Sequence, residues 1–140
     1  FPADPMSLQA LKDWLRANGA RGIAAMRQNK SYVFFRELTG EAAASALGAM
    51  EIPLSDHRSL AVDTRFHALG TPVYVVAPTL THAGRADGFC RLMVAQDVGS
   101  AIRGPERGDI YFGTGDEAGR NAGITKHPGN FFVLLPEAVP

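Results

Sequence analysis

Apolar residues change their period along this chain. Leu8, Leu11 and Leu15 recur three and four positions apart, with Trp14 beside them, which is the stripe of a helix that buries one face. Asp4 followed by Pro5 offers an N-cap and a proline at the first helical position, and Gly19 offers an end. A second short helix is expected over 21–28. The run Ser-Tyr-Val-Phe-Phe-Arg-Glu at 31–37 is aromatic and β-branched and reads as a strand. The alanine-rich 41–47 reads as one or two helical turns. From about Ile52 the pattern becomes short apolar runs between Gly- and Pro-rich turns. It predicts strands at 59–63, 72–76, 91–96, 109–112 and 130–135, with one helix at 116–122. Short strands, Gly-marked turns and an inserted helix predict a mainly β domain built as a small barrel.

A chain of 140 residues holds one domain, or one domain with a short attachment. The 46% of apolar residues is enough for a core, and 15 Gly with 9 Pro fit a turn-rich chain better than a helical bundle. The 14 basic residues are balanced by 14 acidic ones, so there is no electrostatic case for a nucleic-acid partner. The single Cys90 cannot form an internal disulfide, and near Phe89 and Leu92 it reads as a small buried hydrophobe. No apolar run approaches the ~20 residues that span a bilayer, and no signal-peptide pattern is present. The chain starts at Phe1, without Met and in a loop-like stretch. It is therefore expected to be a piece of a longer protein whose targeting segment would lie upstream.

The residues that can carry chemistry are three aspartates, each at or beside the end of an apolar run: Asp63 in Ser-Leu-Ala-Val-Asp, Asp97 in Leu-Met-Val-Ala-Gln-Asp, and Asp109 in Gly-Asp-Ile-Tyr-Phe-Gly. A carboxyl at the rim of a core loses solvation, which disfavours its charged form, and a neighbouring carboxylate adds to the effect. A carboxylic acid still protonated near neutral pH is what glycosidic cleavage requires. The plainer alternative is a turn residue whose side chain accepts from a backbone N–H two positions on. Asp63, before Thr64 and Arg65, fits the turn role better. Asp97, before Val98 and Gly99, fits either. Asp109, close to Tyr111 and Phe112, fits a proton donor best, but spacing alone does not choose among the three.

The segments Asp97-Val-Gly-Ser-Ala-Ile-Arg-Gly104 and Gly108-Asp-Ile-Tyr-Phe-Gly113 resemble the signature of the three-aspartate, or 3D, domain. Ala61-Val62-Asp63 with Leu69-Gly-Thr-Pro-Val73 resembles the first aspartate segment of that domain. The stretch Asn29-Lys-Ser-Tyr-Val-Phe-Phe-Arg36 and the tail through Phe131-Phe-Val-Leu-Leu-Pro136 are similar to the membrane-bound lytic murein transglycosylase A family. The resemblance covers nearly the whole chain. It implies a six-stranded double-psi β-barrel, part of which an upstream segment would supply, packed against a smaller β-rich domain, with glycan bound in the groove between them. Residues 1–48 would be the helical attachment and return strand from the smaller domain, and 49–140 the barrel. The implied reaction cleaves the β-1,4 bond between N-acetylmuramic acid and N-acetylglucosamine without water, leaving a 1,6-anhydro end.

On this resemblance Asp109 is the catalytic acid and Asp97 its support, with Ser100, Arg103, Tyr111 and Asp63 as sugar contacts. The implied partner is the peptidoglycan strand, together with an upstream segment or second chain that completes the barrel. The implied location is the periplasmic face of the bacterial envelope, associated with the outer membrane. One departure is local: the family turn carries Gly-Gly where this chain has Gly99-Ser100, so a positive φ at Ser100 would be strained. Read without the resemblance, Tyr111 is as readily a core residue, Arg103 a solvated one and Trp14 a packing one. His57, His67, His82 and His127 have no metal-ligand spacing, so neither a metal nor a cofactor is expected. Gly113-Thr-Gly115 lacks the lysine of a phosphate loop. Two other functions remain open: a non-catalytic glycan-binding barrel, and a barrel used for another acid chemistry such as proteolysis.

Overall fold

The computed structural model describes residues 7–40, 43, 45–83 and 86–137. Two units can be separated, 1–37 and 38–140. The first is a pair of short helices, α1 (Leu8–Ala17) and α2 (Gly19–Met26). The N-cap of α1 is Ser7, whose side chain accepts from the Ala10 N–H at 3.1 Å. Asp4 and Pro5, expected to start this helix, lie outside the described residues. Asn18 ends α1, its side-chain amide donating to the Trp14 carbonyl at 2.8 Å, and Gly19, at φ 37°, opens α2.

The second unit holds β1 (Ser59–Val62), β2 (Pro72–Ala77), β3 (Phe89–Val98), β4 (Gly108–Ile110), α3 (Asp116–Ile124) and β5 (Asn130–Val133). The five strands form one sheet in the order β4-β1-β3-β2-β5. β1 runs parallel to β3 and antiparallel to β4, and β2 is antiparallel to both β3 and β5. The fold is mainly β with short helices. Among the described residues the sheet is open, with β4 and β5 as its edges, and does not close into the expected six-stranded barrel.

Alternation along the strands sends Leu60 and Val62 of β1, Val73, Val75 and Ala77 of β2, and Phe89, Met93 and Ala95 of β3 into one core. Leu80, Ala83 and Phe112 complete it, and Ala118 of α3 packs against it. The same alternation turns Cys90 outward, between the inward Phe89 and the Val76 it faces on β2, so the cysteine is exposed rather than a core residue. Residues 31–37 form no strand. Tyr32, Val33, Phe34 and Phe35 are 82%, 66%, 88% and 95% exposed. High β-propensity describes how a side chain fits a half-buried pleated surface, and without a partner strand it holds nothing in place. The alanine-rich 41–47 falls partly outside the described residues, and its described end forms a bridge, Leu47 with Pro53, rather than a helix. No helix among the described residues is long and apolar enough to cross a membrane.

Candidate active site

Ala61 of β1 stands directly opposite Asp97 of β3 on one side and Asp109 of β4 on the other. Residues in register share a face of the sheet, so the two aspartates and Ala61 form a row on the face away from the core. Two strand spacings put their backbones roughly 10 Å apart. Ala61, with only a methyl group between them, leaves room above the row. A cavity of about 350 Å³ opens there, and its walls include Ser59, Asp97, Ser100, Asp109 and Tyr111.

Asp97 reaches this face because of an irregularity. Leu60 pairs with Ala95 but Ala61 pairs with Asp97, so Gln96 is an extra residue in β3. Met93 and Ala95 point into the core, and unbroken alternation would send Asp97 there too. The bulge at Gln96 reverses that phase, as bulges beside functional sites commonly do. Asp97 is half-buried, and its Oδ1 accepts from the Ala49 N–H at 3.1 Å.

Asp109 lies on an edge strand and is 56% exposed, with Oδ1 3.1 Å from Nη2 of Arg107. The desolvated setting expected from its aromatic neighbours is absent. Phe112 is turned into the core and Tyr111 is half-buried against another group. The Tyr111 hydroxyl lies 3.3 Å from Oγ of Ser45. The Tyr111 backbone is tied on both sides, its N–H donating to the Ser59 carbonyl at 3.0 Å and its carbonyl accepting from the His57 N–H at 2.7 Å. The His57 imidazole packs edge-on to Phe112, and burial, then the Arg91 charge, lower its pKa despite the opposing Asp56.

Asp63 follows the other course weighed from the sequence. It is 2% exposed and accepts from the Arg65 N–H at 3.1 Å, the two-residue turn bond, and from the Arg65 guanidinium at 2.6 Å. The Gly104 N–H adds a bond at 2.9 Å. The Arg65 guanidinium first, and the Gly104 N–H second, hold this carboxyl well below the usual carboxylate range. Asp63 is not in the cavity wall, but its bond to Gly104 anchors the loop 98–104 that carries Ser100 and Arg103. In that loop the Ile102 N–H donates to the Gly99 carbonyl at 3.0 Å. Ser100 does not have a positive φ, so serine sits in the turn without the strain feared for it. Arg103 is exposed and lies outside the cavity wall.

Sequence reasoning missed Ala49, Ser45 and Arg107. It also missed the bulge, although the consecutive polar pair Gln96-Asp97 after alternating Met93 and Ala95 is the signal a bulge leaves.

Residues 58–135 match the family model of the 3D domain, and residues 1–36 match that of the MltA specific insert domain. The chain belongs to the membrane-bound lytic murein transglycosylase A family. It is 37% identical over 134 residues to membrane-bound lytic murein transglycosylase A of Escherichia coli K12, covering 94% of this chain and 36% of that protein. The Vibrio cholerae protein of the same name is 36% identical over 140 residues, covering 98% of this chain and 37% of its own length. The chain thus spans little more than a third of these relatives. A crystal structure of the membrane-bound lytic murein transglycosylase from Agrobacterium tumefaciens superposes with TM-score 0.80 at 41% identity, covering 97% of this chain and 36% of that one. Escherichia coli MltA with bound chitohexaose gives 0.77 at 37% identity, covering 91% and 38%.

Proposed function

We propose that this family member works as a peptidoglycan lytic transglycosylase at the bacterial cell envelope, with Asp109 as its acid and base. The observation that carries the reading is the row Asp97–Ala61–Asp109 in the wall of one cavity. The related MltA structure that holds chitohexaose, a β-1,4-linked sugar chain, supports a glycan as the ligand. Asp109 in its protonated form donates to the glycosidic oxygen between N-acetylmuramic acid and N-acetylglucosamine. The carboxylate so formed then takes the proton of the muramic acid C6 hydroxyl as that oxygen closes on C1. One carboxyl thus performs both proton transfers, and no water enters. Asp97 stabilises the positive charge that develops at C1 in the transition state.

Ser100 and Tyr111, in the cavity wall, contact the sugar directly. Arg103 contacts it from the flank of the same loop, and Asp63 contributes by anchoring that loop. Arg107 leaves Asp109 when the glycan enters. The open sheet belongs to a six-stranded double-psi barrel, closed across its free edges by a strand from another segment or chain. Residues 1–48 form the attachment to the smaller domain, and 31–37 become its return strand only where the rest of the protein supplies a partner strand.

A second reading has one observation in its favour. One oxygen of Asp109 is taken up by the exposed ion pair with Arg107 rather than left free in the cavity, which fits a barrel that binds glycan without cutting it. Digestion of purified sacculi separates the readings, with products identified by mass spectrometry. Anhydro-muramic ends are expected. Glycan binding with no anhydro product would leave only the binding module, and cleaved stem peptides would point to proteolysis.

A further inference from the structure

The proposed chemistry makes no use of the hairpin formed by residues 45–54, yet this hairpin touches Asp97 in the aspartate row and Tyr111 in the wall of the same cavity. It is closed by the Leu54 N–H on the Ala46 carbonyl at 2.8 Å and the Gly48 N–H on the Ile52 carbonyl at 3.1 Å. At one end Oγ of Ser45 donates to the Leu54 carbonyl at 2.8 Å and meets the Tyr111 hydroxyl. At the other end the Ala49 N–H donates to Oδ1 of Asp97. Leu54 itself is buried and forms part of the cavity wall.

The hairpin seats on the bulge through Gly48. A Cβ at this position would lie 2.4 Å from the Gln96 carbonyl oxygen and 2.6 Å from Cδ2 of Leu54. The first neighbour is backbone and cannot swing aside, so any side chain at residue 48 lifts the hairpin away from β3. The next residue is Ala49, whose N–H would then lose Asp97. The same Gln96 that turns Asp97 onto the cavity face therefore also forms the seat for the loop that holds its carboxylate.

We propose that the 45–54 hairpin is a positioning clip, in which the close contact of Gly48 with the Gln96 bulge places the Ala49 N–H on the Asp97 carboxylate. Gly48 and Ala49 act through Asp97 and touch no reacting atom. This inference rests on the reading that Asp97 serves the cleavage.

The test is a double-mutant cycle in the full chain, Gly48→Ala against Asp97→Ala, measured as anhydro-product formation on sacculi. A misplaced group commonly costs tenfold or more, so Gly48→Ala is expected to lower kcat by at least ~10-fold with KM within about twofold. In the Asp97→Ala background it is expected to change kcat by less than about twofold, because the two act as one unit. An equal loss of kcat in both backgrounds overturns the clip, as does a folded Gly48→Ala protein with undiminished kcat. Hydrogen exchange of the Ala49 amide tests the contact even if Gly48→Ala fails to fold. Protection of that amide is expected to fall by at least ~10-fold in Asp97→Ala, the loss of one closed hydrogen bond. Unchanged protection overturns the proposal. Wild-type turnover in Asp97→Ala would instead remove Asp97 from the cleavage, while the amide measurement still decides whether the clip exists.

Discussion

The end of β1 and the edge strand β4 each carry one aspartate of the family signature, and the fold treats them in opposite ways. β1 is flanked by a strand on either side, and the chain leaving it turns under the loop that ends at Gly104. Asp63 therefore enters a place already lined with donors, and both of its oxygens are engaged. β4 has a neighbour on one side only. Asp109 there meets solvent and the side chain of Arg107, which is itself half exposed. The carboxylate that leaves the end of β1 is spent on holding loops together. One on the rim keeps its oxygens available to a ligand.

The sharpest way to break this contrast is to remove the proton of Asp109 while keeping its shape. Asp109→Asn is expected to lower anhydro-product formation by at least ~10²-fold, the scale of general acid–base catalysis. Its melting temperature and glycan affinity should stay near the parent values, because an exposed edge position carries little of the fold. Turnover like that of the parent would remove Asp109 from the chemistry.

Asp63→Asn should show the reverse pattern, a clear drop in melting temperature at neutral pH. The sign of its pH dependence follows from the lowered pKa in the folded state. A carboxyl held below its ordinary value of 3.8 stabilises the fold above that value and loses the contribution as pH falls toward the folded one. The gap in stability between parent and variant should therefore be widest above about pH 4 and shrink in more acid solution. Denaturant melts at pH 7 and pH 3 measure it. A gap that stays constant would mean that the Arg65 and Gly104 bonds do not act through the charge of Asp63.

The smallest effect is expected for Arg107→Gln. An exposed ion pair contributes about 0–1 kcal/mol, so the melting temperature should barely move. A loss of stability as large as that of Asp63→Asn would show that β4 is not the loosely held rim described here.

The strands from Ser59 onward were legible because most are apolar runs bounded by turn residues, signals carried by the local chain. So was the turn role of Asp63, since its bond to the Arg65 N–H spans only two residues. The run at 31–37 has the same local quality as these strands and forms none among the described residues, because a strand exists only with a partner. Cys90 went the wrong way for a related reason: its neighbours are apolar, but the period of two sends adjacent residues to opposite faces.

By itself, then, the sequence determined the period of each element, the residue types that could carry acid chemistry, and the family to which their pattern belongs. Only the tertiary structure decided which aspartates meet. Asp97 and Asp109 share a cavity because β1 lies between their strands and because a bulge at Gln96 reverses the phase of β3. Periodicity is set by neighbours along the chain. The order of strands and the phase across a bulge are set by pairing between distant segments, where no single residue carries the information.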